Sequence, residues 1–391
     1  MLDRNDSRPA DRVCIDAMLA KADELAPVLR ARSAEAEALR RCPDATIADF
    51  VETGLLRVCQ PVAYGGHEMG YDVLCEIIQR LARGCASQAW VYMVLADNPL
   101  KLATFSKQAQ DDVWGLDDTQ RVGVAVAAVG TGAPVEGGVL WSGLHGFSSG
   151  IDHVDWLICG GFIEGEGGKR GCMVVIPKSD VTVIDDWKVM GLAGTGSKSF
   201  QVSGAFVPAH RIIDKKDYDA GTTPGAALYD SPVFRMPRGG VSAASYAAVS
   251  LGAAQAMLQT FCEFTGKRKS RGKVVADEPG TQMVIGLASA ELEAAERMYM
   301  GALRETMQTL ERGAKVTREQ QVQGKRNCCY AAQLAMQAAH RLFNSAGGRA
   351  LFNDNVMQTQ FRDCFAASAH HSLSWDSAAT EYGRHSIDQY R

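Results

Sequence analysis

The sequence predicts an α+β protein, mainly α, with a helical N-terminal part, a central antiparallel β-domain and a tail of long helices. Three observations carry this. Apolar residues recur at helical spacing from about residue 12 to 117. Between about 120 and 215 short β-branched runs alternate with glycine-rich turns. From about 239 onward helical spacing returns in long, alanine-rich segments. At 391 residues the chain can bury large cores and hold two or three sub-domains.

In the first part Ala17, Leu19, Ala20, Leu25, Val28 and Leu29 form one helical stripe, and Ile47, Phe50, Val51, Leu55 and Leu56 a second. Gln60-Pro61-Val62-Ala63-Tyr64-Gly65-Gly66 breaks helix, because proline and paired glycine punctuate it. Helix resumes over Tyr71 to Arg83 and over Ser87 to Leu95; the latter is apolar nearly all round, which implies burial.

In the middle, Val122, Val124 and Val126 alternate with small residues. The runs from Val154 to Ile163 and from Cys172 to Pro177 are apolar and β-branched. Gly137-Gly138, Gly165 to Gly168 and Pro177 to Asp180 supply turns. The loop Gly191-Leu192-Ala193-Gly194-Thr195-Gly196-Ser197 falls in this region. Its glycines let backbone approach a flat ligand, and Thr195, Ser197 and Ser199 offer hydroxyl donors.

In the last part Leu292, Ala295, Tyr299 and Ala302 trace one helical face. Thr317-Arg318-Glu319-Gln320 matches a capping box that starts the next helix, and Gly347-Gly348 ends it after Ala346. A final helix carries His370, Trp375 and Asp376 and runs to about His385.

A net charge of −4 gives no support for nucleic-acid binding. The one dense basic cluster is Lys267 to Lys273, read as a solvated loop or a phosphate contact. Eleven cysteines without a Cys-x-x-Cys pair fit a reducing compartment and argue against disulfides and zinc; the eight histidines show no metal spacing, so no metal is expected. With no apolar leader and no apolar run near 18 residues, the chain reads as cytoplasmic and off the membrane.

Taken in order, Gln60-Pro61 through Gly65-Gly66, Gly191 to Ser197, Phe206-Val207-Pro208 and the long C-terminal helices resemble the acyl-CoA dehydrogenase fold superfamily. That resemblance implies an N-terminal helical domain over 1–118, a central β-barrel domain over 119–225, and a C-terminal four-helix bundle over 226–391 that also drives oligomerisation. The Glu-Gly-Thr turn that can hold the dehydrogenase base is missing; Asp363 to Asp376 stands in its place, with His370-His371 inside it. Asp376 could serve as a base, but beside Trp375 on a helix it reads as structural. An acyl-CoA dehydrogenase or oxidase is therefore the alternative. The chain is more similar to oxygenase components of two-component flavin-dependent monooxygenases, such as hydroxyphenylacetate and secosteroid-phenol hydroxylases. Phe147-Ser148-Ser149-Gly150-Ile151-Asp152-His153, Gly266-Lys267-Arg268, Arg341-Leu342-Phe343 and Phe361-Arg362-Asp363 leading to His370 carry that likeness.

The resemblance implies homotetramers that take reduced FAD or FMN from a separate NAD(P)H-flavin reductase, and that use O2 to form a flavin C4a-hydroperoxide which hydroxylates or epoxidises an aromatic ring. It implies catalytic roles for His370 and Ser149, with Ser148 and Ser149 beside flavin N5. Gly194, Thr195 and Gly196 would meet the ring edge or ribityl chain. Arg268 would reach a phosphate, and Gly347-Gly348 would face a neighbouring subunit's flavin. Trp90, Leu95, Asn98 and Phe147 would line the substrate pocket. His371 is expected to face elsewhere, and His145 and His153 to be turn or surface residues. Relatives that hydroxylate phenols carry a histidine where Leu95-Ala96-Asp97-Asn98 stands, and hydroxyl side chains where Val122 to Val126 stands. Their loss suggests a weakly polar pocket, because an unpaired buried polar group is costly, and so favours indole, with phenol next.

Overall fold

The computed structural model describes residues 9–391 apart from 166–167, 238–242 and 271. The N-terminal stretch 1–6, part of the turn expected at 165–168 and Arg271 of the basic cluster fall outside the described residues.

Six helices come first: α1 (Pro9–Ala31), α2 (Ser33–Leu39), α3 (Asp44–Glu52), α4 (Tyr71–Ala82), α5 (Ala86–Leu102) and α6 (Lys107–Trp114). The expected break at Gln60 to Gly66 is a 3-10 turn over Val62–Tyr64, ended by Gly65 at φ 75°. Helix α5 runs two turns past its expected end and takes Pro99 into its interior. The ladder resumes beyond the proline, with Ala103 N donating to Pro99 O at 2.9 Å. Every residue of α5 is buried except Val94, Asp97 and Lys101.

Seven strands then form one sheet: β1 (Val122–Val135), β2 (Gly138–Ser148), β3 (Trp156–Gly165), β4 (Gly168–Pro177), β5 (Val181–Ile184), β6 (Lys198–Pro208) and β7 (Ile212–Asp214), ordered β5-β6-β2-β1-β3-β4-β7. The sheet is antiparallel except that β1 pairs with β3 in parallel. Among the described residues its edges β5 and β7 do not pair, so it is an open sheet rather than the closed barrel expected. Three register shifts interrupt it: one in β1 between Ala125 and Gly130, and two in β2, between Trp141 and Ser142 and between His145 and Ser148. Bulges of this kind re-aim side chains, and two of them, at Ala125–Gly130 and at His145–Ser148, hold residues that line one cavity.

A short helix α7 (Lys215–Ala220) leads to the C-terminal helices α8 (Ala243–Lys267), α9 (Pro279–Glu311), α10 (Arg318–Ala346), α11 (Val356–Ser368) and α12 (Trp375–Asp388). Helices α8 to α11 pack on one another as a bundle. The capping box is present: Thr317 Oγ1 accepts from Gln320 N at 3.1 Å while Thr317 N donates to Gln320 Oε1 at 3.0 Å. Within the basic cluster, β8 (Lys269–Ser270) pairs antiparallel with β9 (Lys273–Val274).

Helix α4 lies against α8, where glycine and alanine allow close approach: a Cβ on Gly252 would sit 2.4 Å from the carbonyl oxygen of Gln79. One large core joins the helical layers to the sheet, and a smaller one gathers Tyr64, Phe105, Trp114, Ile158 and Val175. Among the described residues no helix is long and apolar enough to cross a membrane.

Candidate active site

A cavity of about 520 Å³ opens where α5, the two sheet bulges, the loop 187–197, the start of α8 and the connection after α11 converge. Its size suits a drug-sized ligand. Two of the four non-glycine residues with left-handed backbone among the described residues lie in its wall, Phe147 at φ 58° and Leu192 at φ 54°. Strain of this kind collects at functional sites. Phe147 is 79% exposed and meets Trp187 edge to face at 6.0 Å.

One wall is a chain of hydrogen bonds. Trp90 Nε1 donates to Ser149 Oγ at 3.0 Å, Ser149 and Ser197 share a 2.7 Å contact, and Ser197 and Thr195 share another. Thr195 Oγ1 then donates to Leu192 O at 2.8 Å. Gly150 N donates to Thr195 O at 2.9 Å and joins the two loops.

The loop is held from behind by α11. Asp363 accepts from Leu192 N at 2.7 Å and from Ser87 Oγ at 2.9 Å. Burial pushes its carboxyl up to about 6. Arg362 donates to Met190 O and, at 2.6 Å, to Glu37 on α2. Gly191 has no room for a side chain, since a Cβ there would lie 2.2 Å from Arg362 O.

His370 lies between α11 and α12, at the start of a 3-10 turn, and not on the last helix as expected. Its ring stacks on Tyr246 at 3.9 Å and meets Trp90 edge-on at 5.5 Å. Burial, with a smaller contribution from His371, lowers its pKa to about 4, so the ring is neutral at neutral pH. Nδ1 accepts from Ser372 N at 3.3 Å, which places the remaining proton on Nε2. The imidazole is therefore a donor rather than a strong base.

Of the residues singled out in the sequence, Trp90, Asn98, Phe147, Ser149, Thr195 and His370 line this cavity. Leu95 does not: it is buried on another face of α5 and lines a small pocket near Gln60. Ser148 is fully buried, and its Oγ has no hydrogen-bond partner. Gly194 serves packing, since a Cβ there would sit 2.9 Å from Ala36 Cβ. Gly196 supplies a left-handed turn at φ 53°. Arg268 sits beyond the far end of α8, about 32 Å along the helix from Tyr246 at 1.5 Å per residue. There it donates to Ala346 O at 2.9 Å, capping α10 beside Gly347-Gly348.

Other expectations are corrected. His371 lines the cavity too, its ring 4.3 Å from His370, because the turn after α11 is not helical. His145 is fully buried in β2, stacked on Phe200, with burial lowering its pKa to about 4. His153 does lie in a turn, the 3-10 turn Ile151–His153, but it is buried there and donates to Cys42 O at 2.8 Å. Asp376 is exposed in the first turn of α12, away from the cavity. Among the described residues no cluster of histidine, cysteine or acidic side chains could hold a metal ion.

Sequence reasoning missed Asp97 and Lys101. Both line the cavity and pair with each other, and Lys101 also donates to Asn98 Oδ1 at 3.3 Å. Asn98 is fixed by donating to Val122 O at 2.7 Å. The i, i+4 Asp–Lys spacing was a readable signal, hidden by ending the helix at Leu95. The pocket is thus more polar than the loss of histidine and serine implied.

Residues 20–114 match the acyl-CoA dehydrogenase N-terminal domain family, and residues 244–375 match its C-terminal domain family. Similarity extends along nearly the whole chain to the oxygenase subunit HsaA of a flavin-dependent monooxygenase from Rhodococcus jostii (strain RHA1): 33% identity over 92% of this chain and 96% of that one. This chain belongs to the oxygenase components of flavin-dependent monooxygenases. The oxygenase component of p-hydroxyphenylacetate 3-hydroxylase from Acinetobacter baumannii is 32% identical over 94% of this chain and 88% of its own length. The crystal structure of 3-HSA hydroxylase from Rhodococcus sp. RHA1 superposes with a TM-score of 0.91 at 32% identity, covering 95% of this chain and 96% of that one. Within this family the protein is a flavin-dependent aromatic monooxygenase on the acyl-CoA dehydrogenase fold.

Proposed function

We propose that the protein takes reduced FAD or FMN from a separate NAD(P)H-dependent reductase and, with O2, adds one oxygen atom to a small electron-rich aromatic in the cavity described above. The observation that carries this is that a neutral His370 donor and a chain of three hydroxyls line one largely apolar cavity.

The residues present fit a flavin. Ser149, Ser197 and Thr195 offer hydroxyls to the polar edge of a flat ring, while Trp90, Leu192 and the small residues Ala125 and Ala127 give it an apolar bed. When bound, reduced flavin supplies the activation of O2. The chain's own part is to position and to exclude water. Trp90 and Tyr246 wall the arene, and His370 holds a proton at Nε2. Ser149 is held from two sides and so presents one fixed lone-pair direction.

Arg268 and Gly347-Gly348 lie too far from the cavity of their own chain to touch its ligand. That distance supports a role in which they meet a flavin held by another copy, in a homotetramer. The exposed apolar residues Leu351 and Phe352 beside them also favour subunit contact.

Indole is the substrate favoured by a weakly polar pocket, but Asp97, Asn98 and Lys101 remove that premise and favour phenol.

The test supplies chemically reduced FAD or FMN and O2 to the purified protein with phenol or indole. A hydroxylated product is expected without any reductase present. Dehydrogenation of a saturated acyl-CoA thioester, with no arene oxidation, would instead support the acyl-CoA dehydrogenase alternative.

A further inference from the structure

Helix α5 is buried on all sides but one. Its incompletely buried residues are Val94, Asp97 and Lys101, spaced three and four apart, and so on one stripe. That stripe opens into the cavity. A charged pair on an otherwise buried helix is expensive to desolvate unless it serves something there. A surface i, i+4 pair would leave its charges to bulk water; this one lines the cavity.

The donors and acceptors can be counted. A lysine ammonium has three N–H donors. On Lys101 one goes to Asp97 Oδ2 and one to Asn98 Oδ1. Among the described residues the third has no partner, which leaves it for a ligand. Asp97 accepts through Oδ2, leaving Oδ1 as an acceptor at the same wall. Burial is the largest single influence on Lys101 and lowers its pKa, but Asp97, Tyr218 and Tyr246 together outweigh it, so the pKa is raised and the group stays protonated. Tyr246, the residue on which His370 stacks, lines the same cavity.

We infer that Asp97 and Lys101 together form the specificity element for the aromatic substrate, and that they select a ring bearing a hydroxyl. A hydroxyl donates to Asp97 Oδ1 and accepts from Lys101 Nζ, so both free valences are met by one substituent. An indole N–H can donate but cannot accept, and leaves Lys101 short of a partner. A carboxylate can accept but places a second negative charge beside Asp97. A phenol held this way is also drawn toward its more electron-rich form, because its proton leans on a carboxylate. The inference rests on the proposed arene oxygenation at this cavity and names its substrate class.

The test compares phenol with its methyl ether, anisole, which keeps the ring and the oxygen but has no O–H. Equilibrium binding to the protein, followed by quenching of tryptophan fluorescence, is measured for wild type, Lys101→Met, Asp97→Asn and the double variant. Wild type is expected to bind phenol at least about tenfold more tightly than anisole, as sites built for a hydroxyl do. The preference should fall below about threefold in the single variants and in the double variant, which carries no unpaired charge and so guards against misfolding. Equal binding of phenol and anisole by wild type would overturn the inference, as would a preference that survives in the double variant. Binding of reduced flavin and formation of oxygenated product are measured in parallel. Oxygenation of both rings without discrimination defeats this inference alone. A protein that binds no reduced flavin and oxygenates neither ring defeats the proposed function, while the phenol-to-anisole ratio still decides the role of the pair.

Discussion

The carboxylate of Asp363, on α11, accepts the backbone N–H of Leu192 at 2.7 Å. This bond joins the C-terminal bundle to the glycine-rich loop and fixes a left-handed residue in the cavity wall. It also buries a titratable group whose pKa is raised to about 6. A carboxyl that is harder to ionise in the folded state than in the unfolded one contributes stability below the unfolded value, near 4, and loses it as pH rises through about 6. The loss is on the order of 3 kcal/mol. Asp363→Asn keeps the Oδ1 acceptor and has no charge to desolvate. Thermal unfolding should show the variant gaining on wild type as pH is raised from 4 to 7. A constant difference across that range would contradict the buried-carboxylate account.

His370 should act through its neutral form. Because burial lowers its pKa to about 4, coupling of flavin oxidation to product should hold from neutral pH down to about 5 and fall as pH passes through about 4. His370→Asn retains a donor and should keep part of the coupling, whereas His370→Ala should divert most turnovers to hydrogen peroxide. Coupling that titrates near 6.5, or that Ala leaves unchanged, would remove His370 from the reaction.

Ser149 links the indole N–H of Trp90 to Ser197. Ser149→Ala strands the buried Trp90 donor at a cost of about 1–3 kcal/mol. Reduced-flavin affinity, titrated anaerobically, should weaken about tenfold or more, while Ser148→Ala, whose Oγ is buried outside the cavity and unpartnered, should leave it unchanged. Equal effects would mean that both serines serve only the turn.

Gly191→Ala forces a methyl against the Arg362 carbonyl, 2.2 Å away. The loop must move, at a cost of about 1–3 kcal/mol. Loss of flavin binding should exceed loss of stability, since the displaced loop forms the cavity wall. A variant that binds flavin normally would show that this loop is not part of the flavin site.

The helical ends, the β-rich middle and the capping box at Thr317 were readable because each depends on local periodicity or on a three-residue contact. The parallel pairing of β1 with β3 was not, since strand direction between distant segments leaves no local pattern. The hydroxyl wall was half visible: Ser149 and Thr195 stood out in glycine-rich turns, but their connection through Ser197 spans 48 residues. Asp97 and Lys101 were hidden because the apolar run stops at Leu95, yet the buried helix continues to Leu102 with Pro99 inside it. The distance of Arg268 from the cavity of its own chain was not readable, because it depends on the length and direction of α8, which leave no local pattern around the basic cluster.

The central claim is that the cavity brings reduced flavin and an arene together for oxygen transfer. Its most direct measurement is mass spectrometry of the product formed when protein, anaerobically loaded with reduced flavin and phenol, is mixed with ¹⁸O2. The account predicts one labelled oxygen atom in the catechol or hydroquinone formed, with the label reduced in parallel with coupling in His370→Ala. Label recovered only in hydrogen peroxide and water, with phenol unchanged and no other arene oxygenated, would contradict it.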